Sequence, residues 1–183
     1  NEHIVLGNAL RLDWETVCPK TAPAQAAPLW TVEPLLQRAA PDVRELEIYI
    51  FGNPPYLGGK KENEEQKREQ ENIFFKYGYN YKDLDYVSCW LMLAAEYIQH
   101  SSARSGFVCT NSITHATQVP NLWKTILGLG VEIGFAYASF KWSNNAKYQA
   151  GVSCVILGFF HRDECPDKPF SREYQKMSVA NIT

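Results

Sequence analysis

No glycine-rich turn follows a strand anywhere in this sequence, although it holds eleven glycines. Gly128 and Gly130 close a helix and precede a strand, which is the wrong order for a phosphate cradle. No acidic residue sits where it would close a nucleotide site after a following strand. Cysteine pairs at ligand spacing are absent too. The five cysteines are odd in number and scattered, which reads as reduced thiols of an intracellular, cytoplasmic protein rather than as a disulfide framework. His161 and Cys165 have no second pair at metal spacing, so a structural zinc is not expected. One-signed charge is lacking as well: the net charge of −2 provides no overall basic field. The longest apolar run, Tyr86 to Ile98, is interrupted by Glu96 and is too short to span a bilayer, so no membrane segment is expected. No signal peptide, lipidation motif or internal repeat is present. The chain opens on Asn1 in what reads as a strand, which suggests a piece of something longer.

What is present is a chain that is 45% hydrophobic, suited to one substantial core. Ile4 to Leu6 reads as a short strand running into Gly7-Asn8. A Pro- and Ala-rich connection from Cys18 to Pro41 follows, with a short helix over Val32 to Arg38. Glu47 to Gly52 is nearly all apolar after Glu47, the pattern of a central strand covered on both faces. The mixed-charge run from Lys60 to Glu71 predicts a solvated helix, with Lys67 and Arg68 facing Glu64, Glu65 and Glu71 and with Ile73, Phe74 and Phe75 docking its end. Asp83 to His100 is apolar nearly all round and predicts a buried helix. Gly106 to Thr110 is a strand, and Val119 to Leu127 a helix entered through Pro120. Val131 to Phe140 and Val152 to Phe160 are successive strands without an intervening helix, hence antiparallel. The residues from 163 to 183 read as a linker after a domain ending at 162. This order is α/β: the C-terminal half of a doubly wound, Rossmann-like sheet with an antiparallel hairpin at its edge, the first half missing.

The chemistry centres on Asn53-Pro54-Pro55-Tyr56. Neither proline can donate to a ladder, so the strand ends there, and Asn53 is kept extended by the proline after it. The loop lies at the carboxyl end of a strand, where open α/β sheets bind ligands. An exocyclic aromatic amine is a poor nucleophile because its lone pair is conjugated. The Asn53 side-chain oxygen and the Pro54 carbonyl can accept its two hydrogens, and Tyr56 can stack on the ring. A plain strand-ending turn would have the same four residues.

Asn53-Pro54-Pro55-Tyr56 resembles motif IV of the amino-directed, S-adenosylmethionine-dependent methyltransferases, in the form typical of N6-adenine DNA methyltransferases. Leu6 to Leu10 is similar to that family's motif III, although the family more often has Asp where this chain has Asn8. Together with the segments Phe107 to Ile113 and Phe140 to Ala146, these motifs resemble the methyltransferase domain of type IIG restriction–modification enzymes.

The resemblance implies that Asn53, Pro54, Pro55 and Tyr56 form the catalytic loop. It places Asn8 and Ala9 beside the adenine of S-adenosylmethionine, and an aromatic of the last strand as a second wall against the target base. Phe159 fits that place or is a packing aromatic; Phe160 points the other way in a regular strand. The implied substrate is double-stranded DNA with the adenine flipped out. Lys60, Lys61, Lys141 and Lys147 are candidates for phosphate contacts. His115 lines the pocket or is a surface histidine, and the loop at Trp142, Asn144 and Asn145 borders the site or is a hairpin tip. The cysteine–proline contacts, Cys18-Pro19 and Cys165-Pro166, run in the wrong order for cytosine C5 chemistry. Related Asn-Pro-Pro-Tyr enzymes act on protein glutamine or ribosomal RNA guanine, and a non-catalytic DNA-binding piece is a further alternative. Without a glycine-rich cofactor turn, the chain alone is expected to bind the methyl donor poorly and to be inactive, and the cut edge of its sheet is a place where two copies could pair.

Overall fold

The computed structural model describes residues 4–20, 47–57, 61–78, 81–142 and 152–164. The helix expected over Val32 to Arg38 and nearly all of the expected linker from 163 to 183 lie outside them. Ile4 to Leu6 is not a strand: Leu6 is 99% exposed, and no neighbouring strand among the described residues offers a ladder, without which so short a segment does not hold. The chain instead turns at Asn8 and enters a single helical turn, α1 (Trp14–Val17), capped by the Asp13 side chain.

The sheet has four strands in the order β1-β2-β4-β3. β1 (Tyr49–Gly52) pairs in parallel with β2 (Arg104–Thr110). The hairpin of β3 (Val131–Trp142) and β4 (Val152–His161) is antiparallel, and β4 is inserted beside β2. The α/β order with an antiparallel edge hairpin therefore stands. β1 differs from its expected place. Among the described residues it is an edge strand, with Tyr49 and Phe51 57% and 83% exposed. Both lie on the face opposite Ile50, and no described helix covers that face.

The other face is packed by α3 (Ser88–Ile98), in which Leu91, Met92, Ala94, Ala95 and Ile98 are fully buried. Its apolar surface has no polar stripe, as expected of a helix with neighbours all round. α2 (Glu64–Phe74) is the solvated helix of the charge pattern. Asn63 and Gln66 form a reciprocal capping box at 2.9 Å in both directions, which satisfies two orphan amide donors. Ile73 and Phe74 dock as expected, whereas Phe75 is exposed because the chain has passed into a 3-10 turn (Phe75–Tyr77). The helix expected from Val119 to Leu127 is divided: a π-helical turn (Val119–Trp123), entered through Pro120, leads into α4 (Lys124–Gly128).

Gly106 and Gly158 are cross-strand neighbours beneath the Phe135 ring. A Cβ at Gly158 would lie 2.3 Å from both Phe135 Cε1 and the Ser105 carbonyl oxygen. Backbone cannot yield as a side chain can. Gly158→Ala is expected to destabilise the chain by about 3 kcal/mol, at the upper end of overpacking costs, measured by urea or thermal unfolding.

Candidate active site

β1 ends at Gly52 and the chain leaves the sheet through Asn53-Pro54-Pro55-Tyr56. Asn53 and Pro55 are exposed, Pro54 is buried and Tyr56 is half-buried. The Tyr56 hydroxyl donates to Asn53 Oδ1, so the loop closes on itself. Burial, then the neighbouring Cys154 and Cys109, pushes the Tyr56 phenol well above its ordinary range. It therefore stays a donor at any physiological pH. The loop is anchored one residue on, where the Tyr86 amide donates to the Leu57 carbonyl at 3.2 Å.

A cavity of about 470 Å³ opens beside this loop. Its wall is made by Ala9, Leu12 and Trp14 from the N-terminal segment, β1 with Asn53 to Pro55, Trp90 and Tyr97 from α3, and Phe107 from β2. Ala9 thus meets three of the four motif residues around one space. Asn8 is not in the wall: its Nδ2 donates to Glu69 Oε1 at 2.7 Å, and its Oδ1 accepts from the Leu10 amide at 2.9 Å. Phe159 is not in the wall either. It is 1% exposed and its ring lies 6.2 Å from that of Phe107. Of these two neighbouring core aromatics, Phe107, to which no site role was assigned from the sequence, is the one that lines the cavity. The signal for it was the alternation of Ser105, Phe107 and Cys109, all buried on one face of β2. Phe160 points to the opposite face, against Gly134.

Polar groups gather at the carboxyl end of β2. Ser112 donates to Asp85 Oδ2 and shares a 2.8 Å hydrogen bond with Thr110. Gln118 accepts from the Asp85 amide at 3.2 Å and donates to the Asp83 carbonyl at 2.7 Å. His115 is exposed and its Nε2 is 2.8 Å from Asn111 Nδ2. Lys61 and Lys141 are exposed. Lys60, Lys147, Asn144, Asn145 and Cys165 lie outside the described residues, which contain no group of side chains able to hold a metal. No helix among them is long and apolar enough to cross a membrane.

The family described as MmeI, DNA-methyltransferase domain, matches residues 1–171. The chain belongs to this DNA-methyltransferase domain family. DNA methyltransferase A of Bacillus subtilis (strain 168) is 41% identical over 176 residues, which is 96% of this chain and 17% of that protein. The structure of the type IIL restriction-modification enzyme MmeI in complex with DNA matches at a TM-score of 0.65 and 36% identity, covering 86% of this chain and 18% of that one. The chain therefore spans about a sixth of the length of these relatives. Its α/β sheet with the inserted antiparallel strand is of the class I methyltransferase type.

A methyltransferase domain implies a methyl donor. Apart from Asn53 and Cys18 the cavity wall is aromatic and aliphatic, and no charged side chain lines it. It fits a planar, largely apolar group such as an adenine ring. It offers no carboxylate to ribose hydroxyls and no ion partner to an amino-acid end.

Glu62 stands apart from these partnered groups. It is 8% exposed and its Oε1 is buried without a hydrogen-bond partner. Burial first, then the nearby Asp85, raises its pKa from the ordinary carboxylate value. The folded state therefore holds the proton more tightly than the unfolded chain. Stability from this group is full below the unfolded value and is lost as pH rises from there through the raised folded value. Glu62→Gln is expected to stabilise the chain by about 1 kcal/mol at pH 8, where an unpaired buried carboxylate is most costly. The gain should disappear at pH 4, as read from urea unfolding at the two pH values.

Proposed function

We propose that the chain is the catalytic-loop part of a DNA adenine-N6 methyltransferase that uses S-adenosylmethionine, within a restriction–modification protein. The observation that carries this reading is the Asn53-Pro54-Pro55-Tyr56 loop, held at the carboxyl end of β1 and bordering the cavity that Ala9 also lines. The DNA complex of the MmeI relative supports DNA as the substrate, and the Asn-Tyr form of the loop supports adenine as the base.

In this reading S-adenosylmethionine supplies an electrophilic methyl group on a sulfonium. The chain's own residues prepare the amine. Asn53 Oδ1 and the Pro54 carbonyl accept the two N6 hydrogens, which draws the nitrogen lone pair out of conjugation with the ring. Tyr56 turns from Asn53 to stack on the flipped base. No covalent enzyme intermediate is needed, because holding amine and methyl in line removes much of the entropic barrier. Ala9, Leu12 and Trp14 would take the donor's adenine. Asn8 acts behind them through its hydrogen bonds, and Phe159 packs behind Phe107. Lys61 and Lys141, with Lys60 and Lys147, are the proposed phosphate contacts.

Asn53→Ala in the full-length protein is expected to lower methyl transfer to DNA by at least about a hundredfold, the scale for losing one such acceptor, with the melting temperature unchanged because Asn53 is exposed. Transfer at the normal rate would sink the assignment. The chain by itself is expected to show no saturable, micromolar binding of S-adenosylmethionine by calorimetry, since its cavity wall has no group for the ribose or the amino-acid end.

A further inference from the structure

Three donors from two separate parts of the chain converge on one buried carboxylate. Glu69 of α2 is 6% exposed. Its Oε1 accepts from Asn8 Nδ2 at 2.7 Å and from Arg11 Nε at 2.6 Å, and its Oε2 accepts from the Tyr86 hydroxyl. Arg11 also reaches Glu65, one helical turn earlier. The two carboxylates, Glu65 foremost, raise the Arg11 pKa, and burial together with Glu69 raises that of Tyr86, so both remain donors.

The partners of Glu69 lead to the two sides of the cavity. On one side, Asn8 Oδ1 accepts from the Leu10 amide, and Trp14 Nε1 donates to the Ala9 carbonyl at 2.8 Å. The segment from 8 to 14 is thus a folded turn, and Ala9, Leu12 and Trp14 present it to the cavity. On the other side, the amide of Tyr86 holds the Leu57 carbonyl, next to Tyr56. Within residues 4–20, α1 is a single turn with no buried residue. The segment meets the core through the half-buried Leu10 and Trp14 and the bond from the Tyr97 hydroxyl to the Cys18 carbonyl, and Glu69 supplies its tie to α2.

We propose that Glu69 is a positioning residue that fixes the Asn8–Trp14 wall of the donor cavity relative to the amine-orienting loop, and so sets affinity for the methyl donor. The proposal rests on the assignment of the cavity to S-adenosylmethionine made above. Glu69 touches no ligand itself. It acts through Asn8 and Arg11 on the wall and through Tyr86 on the loop. A carboxylate suits this node because it accepts on two oxygens at once. A buried charge with all its donors in place also favours one arrangement over neighbouring ones.

The test uses the full-length protein with Glu69→Ala, Glu69→Gln and Arg11→Met. It reads the equilibrium Kd for S-adenosylmethionine by calorimetry, the Kd for DNA, and kcat at saturating donor. Glu69→Ala leaves Asn8, Arg11 and Tyr86 without their acceptor and is expected to raise the donor Kd about tenfold or more, with DNA affinity and kcat within about threefold. Glu69→Gln keeps one accepting oxygen and is expected to recover most of that affinity. Arg11→Met loosens the same node from an exposed residue and is expected to weaken donor binding in the same direction. Unchanged donor Kd in both Glu69→Ala and Arg11→Met overturns the proposal. Should Glu69→Ala not fold, unchanged donor Kd in Arg11→Met suffices to overturn it. Equal losses of donor and DNA affinity overturn it too, since they mark general destabilisation. Asn53→Ala read beside these separates the two levels: full transfer there refutes the catalytic assignment, whatever the donor Kd of the Glu69 variants.

Discussion

Two consecutive prolines cannot continue a hydrogen-bonded ladder, and the site is arranged around that interruption. Pro54 and Pro55 end β1 and fix the backbone while Asn53 is still at the sheet edge. The amide side chain is thereby presented at the carboxyl end of the sheet. Burial of Pro54 ties the loop to the fold, and the hydrogen bond from the Tyr86 amide to Leu57 ties its far end. Everything downstream serves as a platform: α3 fills the space beneath β2 and β4, and Phe107 and Tyr97 bring that core up to the cavity wall.

The polar part of the structure has a different logic. α2 is charged over most of its surface, yet Glu69 and Gln70 are buried, and each holds a segment remote in sequence. Gln70 donates to the Leu84 carbonyl at 2.9 Å, while Glu69 gathers Asn8, Arg11 and Tyr86. The helix that follows the Asn-Pro-Pro-Tyr loop is therefore a clamp as well as a solvated surface. Asp85, Ser112 and Gln118 make a comparable tie between the entry to α3 and the loop after β2.

Much of this was legible in the residues alone. The strand stop at Pro54, the all-round apolar α3 and the hairpin of β3 and β4 each follow from a local rule, and each is present. The failures share a cause. Whether Tyr49 and Phe51 are covered depends on what flanks the sheet, not on the composition of β1. Phe107 and Phe159 lie on the same face of adjoining strands, and only the strand order decides which one meets the cavity. Asn8 and Glu69 are 61 positions apart, and no periodicity links a polar pair at that distance. Phe75 missed the core because one residue past the end of α2 the chain tightens and the facing direction shifts.

The hydrogen bond from Tyr56 to Asn53 has a chemical consequence beyond holding the empty loop in shape. It leaves Asn53 Oδ1 already supplied with a hydrogen. A group that displaces the phenol must bring a hydrogen of its own, because a carbonyl or other pure acceptor would place two lone pairs against each other and gain nothing for the bond it broke. At this one oxygen, therefore, the loop at rest favours an exchange of one donor for another.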